Sequence, residues 1–163
     1  MTELAVEFAN TLRASRGRTA DGLAEWAART GMPADPVRLA ELRDAIRALL
    51  RAVTDKSEFP AVPLGVLNAA AAAAPCWPEL MAGPAIVART DAAAGPAALA
   101  AIARDAIDLI GTVTRRDALR ACGGPGCVQF FVKDHPRREW CGPACGNRAR
   151  AARHYRKARA AGS

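Results

Sequence analysis

The sequence has few aromatic residues and histidines, and it has no long apolar run. Phe, Trp and Tyr make up 5 % of the 163 residues, and two histidines are present. No stretch approaches the roughly 20 apolar residues that a membrane-spanning helix needs. We also find no paired carboxylates in a recognisable motif and no glycine loop that would cradle a phosphate. These absences argue against a membrane protein, and they predict that the chain is not an enzyme.

The first residues carry acid where an export signal would carry positive charge. Glu3 and Glu7 lie in this segment, whereas a signal peptide begins with a basic region. Clustered cysteines without an export signal are typical of a reducing compartment. We therefore expect a cytoplasmic protein.

Apolar residues at helical spacing dominate the first two thirds of the chain. Leu39, Leu42 and Ile46 belong to one continuous stripe, and such stripes indicate amphipathic helices. Asp35 before Pro36 is a favourable helix start. The patterns predict helices over residues 3–14, 21–31, 36–54, 64–74 and 95–113. The turn signal before the strand-like residues 85–88 predicts a small hairpin.

Three arginines recur every fourth residue on the predicted helix over residues 36–54. They are Arg43, Arg47 and Arg51. Charge runs on helices are usually solvated and paired with nearby acids. We therefore favour a solvent-exposed face, paired with Glu41 and Asp44, over a contact with nucleic acid.

Four of the five cysteines lie within 24 residues, as two close pairs: Cys122, Cys127, Cys141 and Cys145. This spacing is typical of a structural zinc site, in which a tetrahedron of thiolates holds Zn²⁺. Two disulfides, or four unrelated buried thiols, are the alternatives. Four sulfur ligands leave no open position for water or substrate, so we predict one structural zinc ion. The fifth cysteine, Cys76, is predicted to be a buried thiol.

The segment around the second cysteine pair predicts a small core and then a helix. Residues 128–132 are β-branched and aromatic, as in a short strand. We expect Phe130, Phe131 and Trp140 to form a miniature core over the zinc rather than a platform for stacking bases. Pro143 suits the first turn of a helix, and Cys145 would lie in that turn. The prediction is a small treble-clef-like or ribbon-like zinc module.

Positive charge is concentrated in the same part of the chain. Residues 115–163 contain twelve Lys and Arg against three Asp and Glu, whereas residues 1–114 contain eleven against thirteen. A basic module on a near-neutral body is typical of proteins that bind an anionic polymer. A solvated, frayed helix is the alternative. The residues that we expect to contact DNA are Arg137, Arg138, Arg148, Arg150, Arg153, Arg156 and Lys157.

Two motifs resemble a known family. The C-G-N-R run at residues 145–148, preceded by Trp140-Cys141 and followed by a basic segment, resembles the CGNR zinc-finger family of bacterial proteins. The run Glu7-Phe8-Ala9-Asn10-Thr11 resembles the start of the ABATE domain, which usually precedes that finger. The resemblance implies stress-induced transcription regulators whose finger binds DNA and whose N-terminal domain senses a small ligand. It also implies that the four cysteines are the zinc ligands.

The resemblance leaves two alternatives for Asn10 and Thr11. They could line a pocket for a small effector, or they could brace the adjoining loop, since Asn and Thr commonly bond to local backbone. We slightly favour the second.

Together these observations predict a mainly α protein with two parts. Residues 1–114 would form a helical, ABATE-like domain with a small β-hairpin, and residues 115–163 a zinc module that ends in a basic helix. The predicted function is a zinc-containing, DNA-binding regulator of transcription that binds double-stranded DNA. The alternative is a module that binds a ligand or a protein and uses the finger as an assembly element.

Overall fold

The structure, a computed structural model, describes residues 4–15 and 17–161. The chain is mainly α-helical with three small antiparallel sheets in the described ranges. In chain order the elements are α1 (Leu4–Ala9), β1 (Leu12–Ser15), β2 (Arg18–Asp21), α2 (Leu23–Thr30), α3 (Pro36–Asp55), α4 (Ala61–Ala72), β3 (Trp77–Leu80), β4 (Ile86–Arg89), α5 (Ala94–Gly111), α6 (Val113–Ala118), β5 (Leu119–Ala121), β6 (Phe130–Val132) and α7 (Pro143–Ala161). None of the helices in these ranges is long and apolar enough to cross a membrane.

The core lies between α1, α3 and α5, with α4 packed beside α3 and α5. The predicted stripe of α3 is buried here, together with Phe8 from α1 and Leu109 from α5. The start of α3 is as predicted, because the Asp35 carboxylate accepts hydrogen bonds from the backbone N–H groups of Val37 at 2.7 Å and Arg38 at 3.3 Å.

The first predicted helix is shorter than its apolar pattern indicates. It ends at Ala9, and residues 12–14, which we had assigned to the helix, lie in strand β1. Strand β1 pairs with β2 around Gly17, whose φ of +76° favours glycine. The described residues between α1 and α2 therefore form a hairpin. The helix ends next to Asn10, whose side chain bonds to residues elsewhere in the fold. The local spacing of apolar residues does not reveal these contacts.

The predicted hairpin after α4 is confirmed as the β3–β4 pair. The prediction for Cys76 is wrong, since this thiol is exposed at the start of that hairpin. Strands β3 and β4 pair chiefly with each other and stand off the helical core. Because this hairpin does not pack on the helical core, Cys76 is exposed although its neighbours in sequence are apolar.

Strands β5 and β6 join the zinc module to the helical core. Leu119 of β5 and Phe130 of β6 belong to the same buried cluster as Phe8. The prediction that Phe130 packs in a separate core over the metal is therefore wrong. Phe131, its neighbour on the opposite face of the strand, does pack with the cysteines. The two regions share a core, and the proposed boundary at residue 114 stays a prediction.

Candidate metal centre and basic helix

The four clustered cysteines converge on one point. Their Sγ atoms all lie within 4.8 Å of one another; the Sγ atom of Cys141 is 3.8 Å from that of Cys127 and 3.5 Å from that of Cys145. Thiolates about 2.3 Å from a central zinc ion would be separated by about 3.8 Å along each edge of a tetrahedron. The donor set and its spacing therefore fit one zinc ion with four sulfur ligands.

Local backbone geometry brings the two pairs together. Cys122 follows β5 and Cys127 precedes β6, while Cys141 and Cys145 flank the start of α7. Gly124 lies against the cluster, and a Cβ atom there would be 2.9 Å from the Cβ atom of Cys145. The glycines between the first two cysteines are a sequence signal that could have indicated this close approach.

Backbone N–H groups prepare one sulfur for ionisation. Burial raises the pKa of Cys122, but hydrogen bonds from the N–H groups of Cys141, at 3.3 Å, and Gly124, together with those from the Cys141 and Cys127 side chains, lower the pKa overall. Burial raises the pKa of Cys127 and of Cys141. A lowered pKa at Cys122 favours the thiolate, which is the form that would bind a metal ion.

The C-G-N-R run packs onto this centre. A Cβ atom at Gly146 would lie 3.2 Å from the Trp140 ring, so glycine lets the first turn of α7 approach the indole. The Asn147 side-chain oxygen accepts a hydrogen bond from Arg150 at 2.5 Å. Arg148 is half-buried and donates to the Cys145 Sγ atom at 2.9 Å. The contacts of Gly146 and Arg148 hold the helix start against the metal site, whereas the Asn147–Arg150 bond lies within α7.

The predicted DNA-contacting residues fall into two groups. Arg138 and Arg148 are half-buried, and Arg138 lies over the Phe131 ring while donating to Asp134 at 2.9 Å and to the Cys141 carbonyl at 3.1 Å. The others are exposed: Arg137, Arg150, Arg153, Arg156 and Lys157. Helix α7 contains no acidic residue, so its exposed surface is strongly positive.

The solvated face predicted for the arginines of α3 is present only in part: Arg51 is exposed, whereas Arg43 and Arg47 are not. Arg43 is buried and donates to Asp21 at 2.5 Å and Asp44 at 3.0 Å. Arg47 is half-buried and donates to the backbone carbonyl groups of Ala9, at 2.6 Å, and Val128, at 2.9 Å. Arg47 therefore connects the end of α1 to the zinc module, and the spacing in sequence gave no signal of this role.

Asn10 makes a second connection between the same two regions. Its side-chain N–H donates to the Phe130 carbonyl at 2.8 Å, and its side-chain oxygen accepts from the Phe130 N–H at 2.9 Å. Thr11 is buried and donates to the carbonyl of Phe8 at 2.8 Å. Thr11 thus bonds to local backbone, as in the alternative that we favour, whereas Asn10 bonds to the backbone of a strand that is distant in sequence.

Asn10 and Thr11 also line a cavity of about 800 Å³ between the two regions. One wall comes from α1, α2 and the β1–β2 hairpin. The opposite wall comes from the zinc module and includes Gln129, Arg138 and the ligand Cys141. Charged side chains of both signs face the cavity, among them Arg13 and Glu25. A polar molecule in this space would touch both parts of the chain, and the role of Asn10 and Thr11 in binding one stays a prediction.

Comparison with known families agrees with this arrangement. The ABATE family model, described as "Putative stress-induced transcription regulator", matches residues 2–113. The CGNR zinc-finger model matches residues 118–158. No curated protein matched the chain. Because the first model covers most of the chain and the second contains the whole cysteine cluster, the chain belongs to the ABATE family and carries, after that domain, a CGNR zinc finger with one structural zinc ion.

Proposed function

We propose that this protein is a regulator of transcription that binds double-stranded DNA through helix α7. The observation that carries the proposal is the run of exposed cations on α7, with no acid among them, directly after a metal site that fixes the start of the helix. Lys and Arg that neutralise phosphates supply most of the affinity of such proteins for DNA. The zinc ion then acts by orienting the helix, since the helix is too polar to hold itself against a core.

The family description adds stress response to this proposal, and the cytoplasm of a bacterium is where such a regulator would act. The proposal includes no catalysis. Four thiolates fill the tetrahedral coordination shell of zinc and leave no position for a substrate.

A salt titration of binding to random duplex DNA tests the proposal. We expect the logarithm of the binding constant to fall linearly with the logarithm of salt concentration. Replacing Arg150, Arg153 and Lys157 together with alanine should reduce that slope by about three, at about one per phosphate contact. As the matched control, Arg38→Ala removes one exposed arginine from the first turn of α3 and should leave the slope unchanged. Binding that does not change with salt would contradict the proposal and favour an assembly role for the finger.

We further propose that a small polar effector binds in the cavity between the two regions. The cavity supports this, because a ligand that touches both α1 and the zinc module can alter how the finger is held. A thermal-shift screen of zwitterionic and anionic metabolites tests it. A compound that stabilises the wild type and no longer stabilises Arg13→Gln would support the site, since Arg13 lines the cavity and is exposed. A screen in which no stabilisation depends on Arg13 would contradict it.

A further inference from the structure

Arg148 differs from the other basic residues of α7 in both burial and contact. Arg150, Arg153, Arg156 and Lys157 are exposed, whereas Arg148 is half-buried and its Nε atom is enclosed by protein. One terminal N–H group of Arg148 donates to the Cys145 Sγ atom at 2.9 Å. A side chain that reads or neutralises DNA must reach the surface, and this one is directed inward.

The direction of the side chain follows from helix geometry. Residues three apart lie on the same face of an α-helix, and long side chains point back toward its N-terminus. Arg148 is three residues after Cys145, in the first turns of α7. Its guanidinium group is therefore placed beside the sulfur of the preceding turn without any distortion of the helix.

The negative charge of the metal site explains why a charged donor at this sulfur is favourable. Four thiolates and one Zn²⁺ carry a net charge of −2, and burial makes such a charge costly unless donors face it. Backbone N–H groups donate to Cys122, from Cys141 and Gly124, and to Cys127, from Gln129. The donor at Cys145 is instead a charged side chain. Hydrogen bonds with a charged partner are about twice as strong as neutral ones.

We propose that Arg148 is a positioning residue of the zinc site: its guanidinium group donates to the thiolate of Cys145 and offsets the negative charge of the cluster. The final residue of the C-G-N-R run would then serve the metal and not the nucleic acid. Gly146 leaves room for the Trp140 ring beside the same site. The C-G-N-R run would therefore hold the start of α7 at the zinc site. This inference rests on the zinc site and does not depend on DNA binding.

The first test is zinc affinity, measured by competition with a chromophoric chelator on the full chain. Removing a partner that hydrogen-bonds to a metal ligand typically costs 10–100-fold in affinity, and we expect a loss of this size for Arg148→Met. Arg148→Lys keeps the charge and should recover part of the loss. Arg153→Met removes one exposed cation from the same helix and should bind zinc like the wild type.

The second test reports on the sulfur itself. With Co²⁺ in place of zinc, the sulfur-to-metal charge-transfer absorption should shift in Arg148→Met and remain unchanged in Arg153→Met. The thiolate of Cys145 should also be alkylated faster by iodoacetamide in zinc-loaded Arg148→Met, because a hydrogen bond to sulfur lowers its nucleophilicity. A general loss of stability would not produce the spectral shift.

Arg148→Gln keeps the measurement possible if the Met variant does not fold, since glutamine retains a neutral N–H donor. It should give an intermediate affinity for zinc. An Arg148→Met or Arg148→Gln protein with wild-type zinc affinity, cobalt spectrum and alkylation rate would overturn the proposal.

Discussion

Two helices of this protein carry arginines at regular spacing, and the fold uses them in opposite ways. On α3, Arg43 is buried against two carboxylates and Arg47 donates to two backbone carbonyl groups. On α7, Arg153 and Arg156 are exposed. The charge and the helical periodicity are similar, so the difference comes from what each helix faces. Arg43 and Arg47 of α3 hold the structure together, whereas Arg153 and Arg156 of α7 are exposed to solvent.

Burying arginines of α3 costs solvation free energy, because a charged group loses its contact with water. Burial first, and then the positive charge of Arg43, lower the pKa of Arg47, although an arginine side chain stays charged in proteins. This cost is offset by the carbonyl groups of Ala9 and Val128, which lie at the seam between α1 and the zinc module. Substitutions of Arg43 and Arg47 should therefore change stability, and substitutions of the exposed cations of α7 should change binding.

Removal of zinc is expected to have the largest effect on stability. Structural zinc contributes about 10–16 kcal/mol of apparent binding free energy in isolated fingers. Because Phe130 of the finger lies in the main core, chelation should lower the unfolding midpoint of the whole chain, measured by tryptophan fluorescence in urea. Cys76→Ser, at an exposed thiol outside the cluster, should leave the midpoint and the zinc content unchanged. An unchanged midpoint after chelation would show that the finger folds separately from the core.

The next largest effect is expected for Arg47→Met. This change removes two hydrogen bonds with a charged donor, each of which contributes about 1.5–3 kcal/mol, and it leaves the carbonyl groups of Ala9 and Val128 without that donor. We expect urea denaturation to show a loss of about 3–6 kcal/mol in the free energy of unfolding. The matched control is Arg51→Met. Arg51 is exposed and lies 5.3 Å from the centre of the Phe130 ring, so its loss should cost about 0.5–1 kcal/mol. Equal losses for the two variants would contradict the role of Arg47 at the seam.

A smaller effect, seen as a dependence on pH, is expected from Arg43 and Asp21. The hydrogen bond from Arg43 is the main cause that lowers the pKa of Asp21 below its ordinary value of 3.8. A lowered pKa in the folded state means that the pair stabilises the protein above pH 3.8 and loses this contribution as pH falls through the folded value. Asp21 is half exposed, so solvent screening limits the effect to about 1 kcal/mol. Asp21→Asn should flatten the change in unfolding free energy between about pH 5 and pH 2. A profile with the wild-type slope would show that other carboxylates cause it.

The smallest effect on stability is expected on α7. Arg153→Ala and Lys157→Ala alter exposed side chains, and such changes usually shift the free energy of unfolding by less than about 0.5 kcal/mol. The same variants should each reduce the salt dependence of DNA binding by about one. Denaturation and the salt titration, carried out on the same preparations, measure both. A large loss of stability with an unchanged salt slope would contradict the proposal that the exposed cations of α7 act in binding and not in stability.

Much of the metal site could be predicted from the sequence, because its geometry is encoded locally. The two cysteine pairs are short in sequence, the glycines between the first pair permit close approach, and Pro143 marks the start of α7. The apolar stripes likewise predicted the main helices. The end of α1 and the β1–β2 hairpin could not be predicted in this way, since Asn10 ends the helix by bonding to Phe130, 120 residues away.

The sequence by itself determined which residues can hold zinc, where the amphipathic helices form and where positive charge accumulates. These properties depend on residue type and on spacing within a few turns of chain. Only the tertiary structure decided which charges are buried and which are free to bind. Burial depends on what lies opposite a side chain: Arg43 and Arg47 of α3 face β2, the end of α1 and the zinc module, which supply carboxylate and carbonyl acceptors, whereas Arg153, Arg156 and Lys157 of α7 are exposed.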